Sequence, residues 1–411
     1  MSNGKRGPLL VILFATLMAG AGNGISIVAF PWLVLQRTGS AFDASIVAMA
    51  GTIPLLVATL LAGAAVDYLG RKRVSMISDA LSALSVATVP VLALTLGVEA
   101  INVAVLACLA ALGAFFDPAG MTARETMLPE AATRAGWTLD HANSVYEAVF
   151  NLSYIVGPGV GGLLIATLGG INTMWVTAAA FGLSIIAIAT LRLEGAGKPD
   201  RAALPQGMWA GIVEGLRFVW NTRVLRALAI VDLAATGLYM PMESVLFPKY
   251  FADRNEPAHL GWVLMALSVG GLLGALSYAA MSKFSRRRTV MLTAVLTLGV
   301  AMTIIAFLPP LPLILVLCAV IGFVYGPIAP IYNYVMQTTA PQHLRGRVVG
   351  VMGSLAYAAG PLGLVLAGPL ADTAGLHATF LALALPMLLL GVIAVFLPAL
   401  RDLDRGSAVE I

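Results

Sequence analysis

Four carboxyl side chains stand inside stretches that are otherwise apolar: Asp117, Glu147, Asp232 and Glu243. Asp232, Tyr239 and Glu243 fall at i, i+7 and i+11, which is one face of a helix. Glu147, Asn151, Tyr154 and Pro158 fall at i, i+4, i+7 and i+11, again one face. Asp117 directly precedes Pro118, Asn23 lies in the first apolar stretch, and Tyr325, Tyr332, Asn333 and Tyr334 lie in the tenth. A charge at the middle of a bilayer is costly, and desolvation favours the neutral acid. Carboxyls so placed suit groups that load and release protons. Rings and amides beside them suit amphipathic or cationic small molecules. The plainer alternative is that each acid is permanently protonated and hydrogen-bonded. Glu243, with Lys249 six residues on, could also be solvated near a surface. Asp79 and Asp372 stand close to the ends of their stretches, where capping or pairing is expected. No Lys or Arg is expected at mid-depth.

The elements that must position these groups are membrane helices. Hydrophobic residues make up 59% of the 411 and charged residues 11%, where a soluble chain carries about 25% charged. Mean hydropathy is +0.92. Crossing the hydrocarbon takes about 20 apolar residues. Such runs occupy residues 8–36, 44–66, 74–97, 101–123, 139–167 and 172–191, then 225–250, 259–282, 288–308, 312–338, 346–371 and 376–398. This predicts an all-α membrane protein of twelve transmembrane helices. Lys5-Arg6 and the apolar run after it resemble a signal peptide, but apolarity continues to Leu35, so a retained first span is expected. With both termini in the cytoplasm, 21 of the 24 Lys and Arg residues, Arg124 among them, fall on the inner side. Only Arg37, Lys249 and Arg254 fall outside. That asymmetry sets the orientation expected for a multi-pass protein of the plasma (inner) membrane.

Residues 193–222 divide the chain into a six-span half at 1–192 and another at 223–411. Within this linker Trp209, Ile212, Val213, Leu216, Val219 and Trp220 share one helical face, with Glu214 and Arg217 elsewhere. An amphipathic helix on the cytoplasmic membrane surface and an ordinary helix packed on the protein both fit. The halves look alike. Tyr154-x-x-Gly157-Pro158 in span five matches Tyr357-x-x-Gly360-Pro361 in span eleven, and Gly113 and Pro118 in span four match Gly322 and Pro327 in span ten. Cys108 and Cys318 are nearly in register too, and two cysteines in apolar runs make no disulfide framework. Two pseudo-symmetric six-helix halves predict a carrier that rocks about a central site.

The turn after span two reads Gly63-x-x-x-Asp67-Tyr68-Leu69-Gly70-Arg71-Lys72-Arg73. It resembles motif A of the major facilitator superfamily, with Tyr68 where a basic residue is usual. The resemblance implies a gating role for Gly63, Asp67, Gly70, Arg71 and Lys72, with Asp67 set at a helix N-terminus. The turn after span eight, from Gly274 to Arg288, keeps only a Gly and a basic cluster. Gly157-Pro158-x-x-Gly161-Gly162 resembles motif C, a mark of the drug:proton antiporters of that superfamily. Proline and glycines there suit a kinked, close helix contact between halves. The family's motif B, with an Arg midway along span four, is absent. In the superfamily, spans one, four, seven and ten line the central cavity and span five sits at the seam.

Phe30-Pro31-Trp32-Leu33-Val34-Leu35, Pro241-Met242-Glu243-Ser244-Val245-Leu246-Phe247-Pro248-Lys249 and Leu344-Arg345-Gly346-Arg347-Val348-Val349-Gly350 resemble the Tap-type multidrug efflux pumps of mycobacteria. The resemblance runs nearly full length. It implies proton-coupled export of tetracycline, aminoglycoside or spectinomycin-like drugs, with the proton as coupling ion and no cofactor, by a monomer in the lipid bilayer. A lipid or siderophore exporter and an uptake symporter share the scaffold. A receptor would carry a signalling domain, and no soluble segment exceeds about 30 residues. No enzyme is expected. Gly197-Lys198 lacks the P-loop pattern, and the histidines at 141, 259, 343 and 377 have no metal-ligand spacing. The net charge of +4 is too small to suggest nucleic-acid binding.

Overall fold

The computed structural model describes residues 6–193, 208–281, 285–341 and 344–404. The described residues are mostly helical, with no strand among them. In chain order come α1 (Gly7–Thr38), α2 (Ala41–Leu69), α3 (Arg71–Thr95), α4 (Val103–Ala135), α5 (Leu139–Leu168), α6 (Gly170–Thr190), α7 (Met208–Asn221), α8 (Arg223–Pro241), α9 (Phe247–Ala252), α10 (Pro257–Met281), α11 (Arg287–Ala306), α12 (Leu311–Tyr325), α13 (Ile328–Thr339) and α14 (Arg345–Phe396). Among these residues 11 helices are long and apolar enough to cross a membrane, counting α8 with α9 and α12 with α13. The last, α14, is interrupted by Gly375 at φ 83° and ψ 165°. That positive φ needs a glycine, and each piece is still long enough to span. Counted so, the expected twelve passes are present.

The chain packs as two compact units. One holds residues 1–39, 46–205 and 251–261, the other 40–45, 206–250 and 262–411. The units therefore do not follow the chain halves strictly. In the first, α1 packs against α4, α5 and α6, and α3 against α4 and α6. In the second, α14 packs against α8 and α11, and α11 against α12.

A few helix starts are closed by side chains. Asn102 caps α4 by accepting from Val105 N at 3.0 Å, and Thr138 caps α5 by accepting from His141 N at 3.3 Å. Asp372 of α14 accepts from Ala41 N at 2.8 Å, Phe42 N at 2.9 Å and the Ser40 hydroxyl at 2.8 Å. It thus caps the start of α2 across more than 300 residues of sequence. The expectation that this acid caps is met.

The duplicated Gly-Pro motif makes a duplicated contact. A Cβ on Gly157 would run into Gly24 of α1, and one on Gly161 would press on Ile25. Correspondingly, a Cβ on Gly360 would run into Met240 of α8, and one on Gly363 into the Gly237 carbonyl. Each motif thus brings its helix close to the first span of its own half, against backbone at Gly157, Gly161 and Gly363 and against the Met240 side chain at Gly360. Gly162 instead meets Pro257 and Gly261 of α10. Gly157 and Gly161 thus pack within their own half, where a contact at the seam was expected, and the contact of Gly162 lies within the first unit. Their spacing of four puts both on the ridge facing α1, while Gly162 is turned about 100° away. Gly157→Ala is expected to lower the thermal unfolding temperature in detergent. Gly182→Ala, where a Cβ meets nothing within 4 Å, should leave it unchanged or raise it.

Candidate proton and substrate site

In the second unit, α8 carries Asp232 and Tyr239 and ends at Pro241. A wider π turn, Met242–Leu246, then carries Glu243 before α9 resumes. Proline has no N–H to give the Gly237 carbonyl, and Gly363 of α14 lies against that oxygen. The extra residue in the turn changes the register at which Glu243 leaves the helix. Glu243 is half-buried, not solvated. Its carboxyl partners the Tyr239 hydroxyl and faces Cys318 of α12. Tyr239 stacks on Tyr325 with ring centroids 6.4 Å apart and planes 18° apart. The Tyr332 hydroxyl faces the Asp232 carboxyl and lies 3.5 Å from the Leu228 carbonyl oxygen. Five expected site residues thus form one acid–tyrosine cluster. Span ten contributes Tyr325 from the end of α12 and Tyr332 from α13, on either side of the break at Gly326-Pro327.

Two neighbours in sequence are not part of that cluster. Tyr334 is two residues past Tyr332 and faces away. The Arg287 guanidinium of α11 lies 3.6 Å from the centre of its ring, a cation–π contact. Asn333 is exposed. The expectation that the run 332–334 lines one site is corrected, because consecutive helical residues point about 100° apart.

In the first unit, Asn23 of α1 donates to Asp117 of α4 at 2.7 Å. An expected binding residue and an expected proton site therefore hold each other. Seven residues further along α4, on the same face, Arg124 is only 3% exposed. Its guanidinium donates to both Asp79 carboxylate oxygens, at 3.0 and 3.1 Å. Ser184 of α6 donates to the same carboxylate at 2.6 Å. Arg124 was expected just beyond the end of span four; it is instead buried on α4 against Asp79. The helix does not stop where its apolar run stops, but continues through Pro129 to Ala135. The signal available in the sequence was the i, i+7 spacing of Asp117 and Arg124, with Asp79, near the end of span three, already expected to pair.

Glu147 and Asn151 are exposed on α5, and Tyr154 packs on Phe150 with ring centroids 5.0 Å apart. Glu125 of α4, not singled out from the sequence, is close enough to Glu147 for the two charges to repel. Of the motif A residues, the side chains of Gly63 and Asp67 lie outside the described residues. Gly70 has φ 89° and ψ 142° at the head of α3, a conformation that favours glycine. Arg71 is half-buried beside it. Lys72 donates to the Ala189 and Leu191 carbonyls at 2.8 and 2.9 Å, capping the end of α6. Among the described residues no group of three or more His, Cys, Asp or Glu is arranged to hold a metal ion.

Removing one member of the Asp79–Arg124 pair strands a buried charge, at a cost of about 3–5 kcal/mol. Asp79→Asn and Arg124→Ala should each lower the unfolding temperature in detergent sharply. The double variant Asp79→Leu/Arg124→Met should recover much of that loss.

A family model described as Major Facilitator Superfamily matches residues 12–364 and again 244–408. The chain is 84% identical to a protein of Mycolicibacterium fortuitum named Multidrug efflux pump Tap, over 99% of this chain and all of that one. It is 68% identical to the protein of the same name from Mycobacterium tuberculosis H37Rv, over 100% of this chain and 98% of that one. Among solved structures, the nucleoside transporter NupG superposes with a TM-score of 0.75 at 14% identity, covering 95% of this chain and 98% of that one. At that identity the likeness speaks for the fold alone. Twelve passes, a duplicated Gly-Pro helix contact and the family match along nearly the whole sequence place this membrane-spanning chain in the Major Facilitator Superfamily.

Proposed function

We propose that this chain is an antiporter that exports amphipathic or cationic drugs in exchange for protons by alternating access. The observation that carries the reading is the near full-length 84% identity to a protein named as a multidrug efflux pump. The acid–tyrosine cluster supports it, since tyrosine rings offer flat apolar walls and carboxyls offer charge to a cationic guest. On this reading Asp232 and Glu243 in one half, and Asp117 and Glu147 in the other, are the candidate proton carriers. Tyr239, Tyr325 and Tyr332, with Asn23, Asn151 and Tyr154, are the candidates to touch drug. Protonation of an acid from outside weakens the hold on a cationic drug and resets the carrier. The orientation has both termini in the cytoplasm and the protein in the plasma membrane as a monomer, with the two halves 1–192 and 223–411 as the moving bodies.

The energetics are sufficient with few protons. The membrane voltage supplies about 2.3 kcal/mol per charge per 100 mV. One proton at that voltage therefore sustains a drug gradient of roughly fifty-fold. One or two of the four acids need titrate. Tetracycline and spectinomycin are the first drugs to test.

In proteoliposomes carrying an internal pH dye, tetracycline or spectinomycin should drive proton movement by the unaltered protein. Glu147→Gln or Asp232→Asn should abolish it while drug binding persists. Drugs that bind and yet move no protons through the unaltered protein would overturn the antiport reading. Tyr332→Phe, which removes the hydroxyl facing Asp232, should shift the pH profile of transport more than it lowers the maximal rate.

A further inference from the structure

The helix α7, which leads into the first span of the second half, has three distinct sides. Gly215 and Val219 are buried, and the helix packs against α14. Val213, Leu216 and Trp220 form a second stripe that is 53%, 43% and 55% exposed. Glu214, Arg217 and Asn221 form a third, polar and exposed. On a helical projection the exposed apolar stripe and the polar stripe are centred roughly 100° apart. Arg217 lies at the border between them. The side chains of Trp209 and Ile212 lie outside the described residues.

Two of these sides are accounted for, by protein and by water. The third is not. A soluble linker helix packed on its own protein would be expected to bury such a stripe or replace it with polar groups. Only Thr222 separates α7 from Arg223, where the spanning helix α8 begins. That short link holds α7 at the level where α8 enters the membrane. Arg217, Arg223 and Arg226 lie along this junction, and Arg226 also donates to the Trp220 carbonyl at 3.0 Å.

We propose that α7 is a lipid-docking helix. Val213, Leu216 and Trp220 lie among the acyl-chain ends of the headgroup region, and Arg217 reaches to the phosphate of an anionic phospholipid. A tryptophan suits that depth, since its ring is apolar and its N–H polar. An arginine at the edge of the apolar stripe can lay its stem along the lipid and keep its head at the phosphates. The occupant is thus a lipid surface rather than a protein groove. Of the two readings open for the linker, lipid contact and protein packing, the helix makes both, on different sides.

The test uses the full-length protein with Cys108 and Cys318 replaced by Ala, reconstituted in vesicles of phosphatidylglycerol with phosphatidylethanolamine. A single cysteine is placed in turn at Val213→Cys, Leu216→Cys and Asn221→Cys and labelled with an environment-sensitive fluorophore. Labels at 213 and 216 should lose fluorescence to lipids spin-labelled near the headgroup and be spared by aqueous iodide, while the label at 221 shows the reverse. Arg217→Gln should weaken docking about fivefold in these anionic vesicles and little in phosphatidylcholine. Quenching of 213 and 216 by iodide as strong as that of 221 would overturn the proposal. Protection of 213 and 216 from both quenchers would also overturn it, since it would mean that protein covers the stripe.

Discussion

Hydrocarbon offers a polar group nothing to bond to, and most of this chain's arrangement answers that constraint. Arg124 can sit 3% exposed inside the first unit because Asp79 takes two of its hydrogen bonds and Ser184 completes the carboxylate. Asn23 does the same for Asp117. Where helices end, other side chains take over the free backbone groups: Lys72 on the carbonyls of α6, Asp372 on the N–H groups of α2. Each of these bonds joins elements distant in sequence. Satisfying polar groups and fixing the packing are therefore the same act in this fold.

The second means of cohesion is close backbone approach. Between apolar helices in lipid, hydrophobic burial drives little, and association depends on how many atoms can touch. Gly24 with Gly157, and Gly237 with Gly363, bring helices nearer than side chains would allow. The same Gly-Pro motif serves both halves, so the duplication visible in the residues is a duplication of a packing solution. Proline is tolerated there because it lies at a contact where neighbouring backbone and glycine fill the space its ring and missing N–H create.

The candidate site occupies the less regular helices. Glu243 stands on a π turn after Pro241, and Tyr325 and Tyr332 flank the break at Gly326-Pro327. Regular helices would point these side chains at fixed 100° steps. These turns carry one acid and two tyrosines of the cluster, while Asp232 and Tyr239 stand on the regular helix α8. By contrast, the Asn23–Asp117 and Asp79–Arg124 line is built on unbroken helices, its pairs joined at 2.7 and 3.0 Å.

The residues alone settled the number of passes, because about 20 apolar residues in a row have few other uses. They settled the duplication too, since Tyr154-x-x-Gly157-Pro158 and Tyr357-x-x-Gly360-Pro361 occupy correspondingly numbered spans. The acids and tyrosines of spans seven and ten were also legible, because helical spacing places Asp232, Tyr239 and Glu243 on one face. Only the tertiary structure decided who meets whom. Arg124 reads as lying just beyond span four because apolarity stops before it, yet α4 carries it inward to Asp79, whose partnership no local pattern encodes. Tyr332 and Tyr334 look alike in sequence but part company, one to Asp232 and one beneath Arg287. Local spacing fixes the direction in which a side chain leaves its helix, while the group waiting there is set by packing across a hundred residues or more.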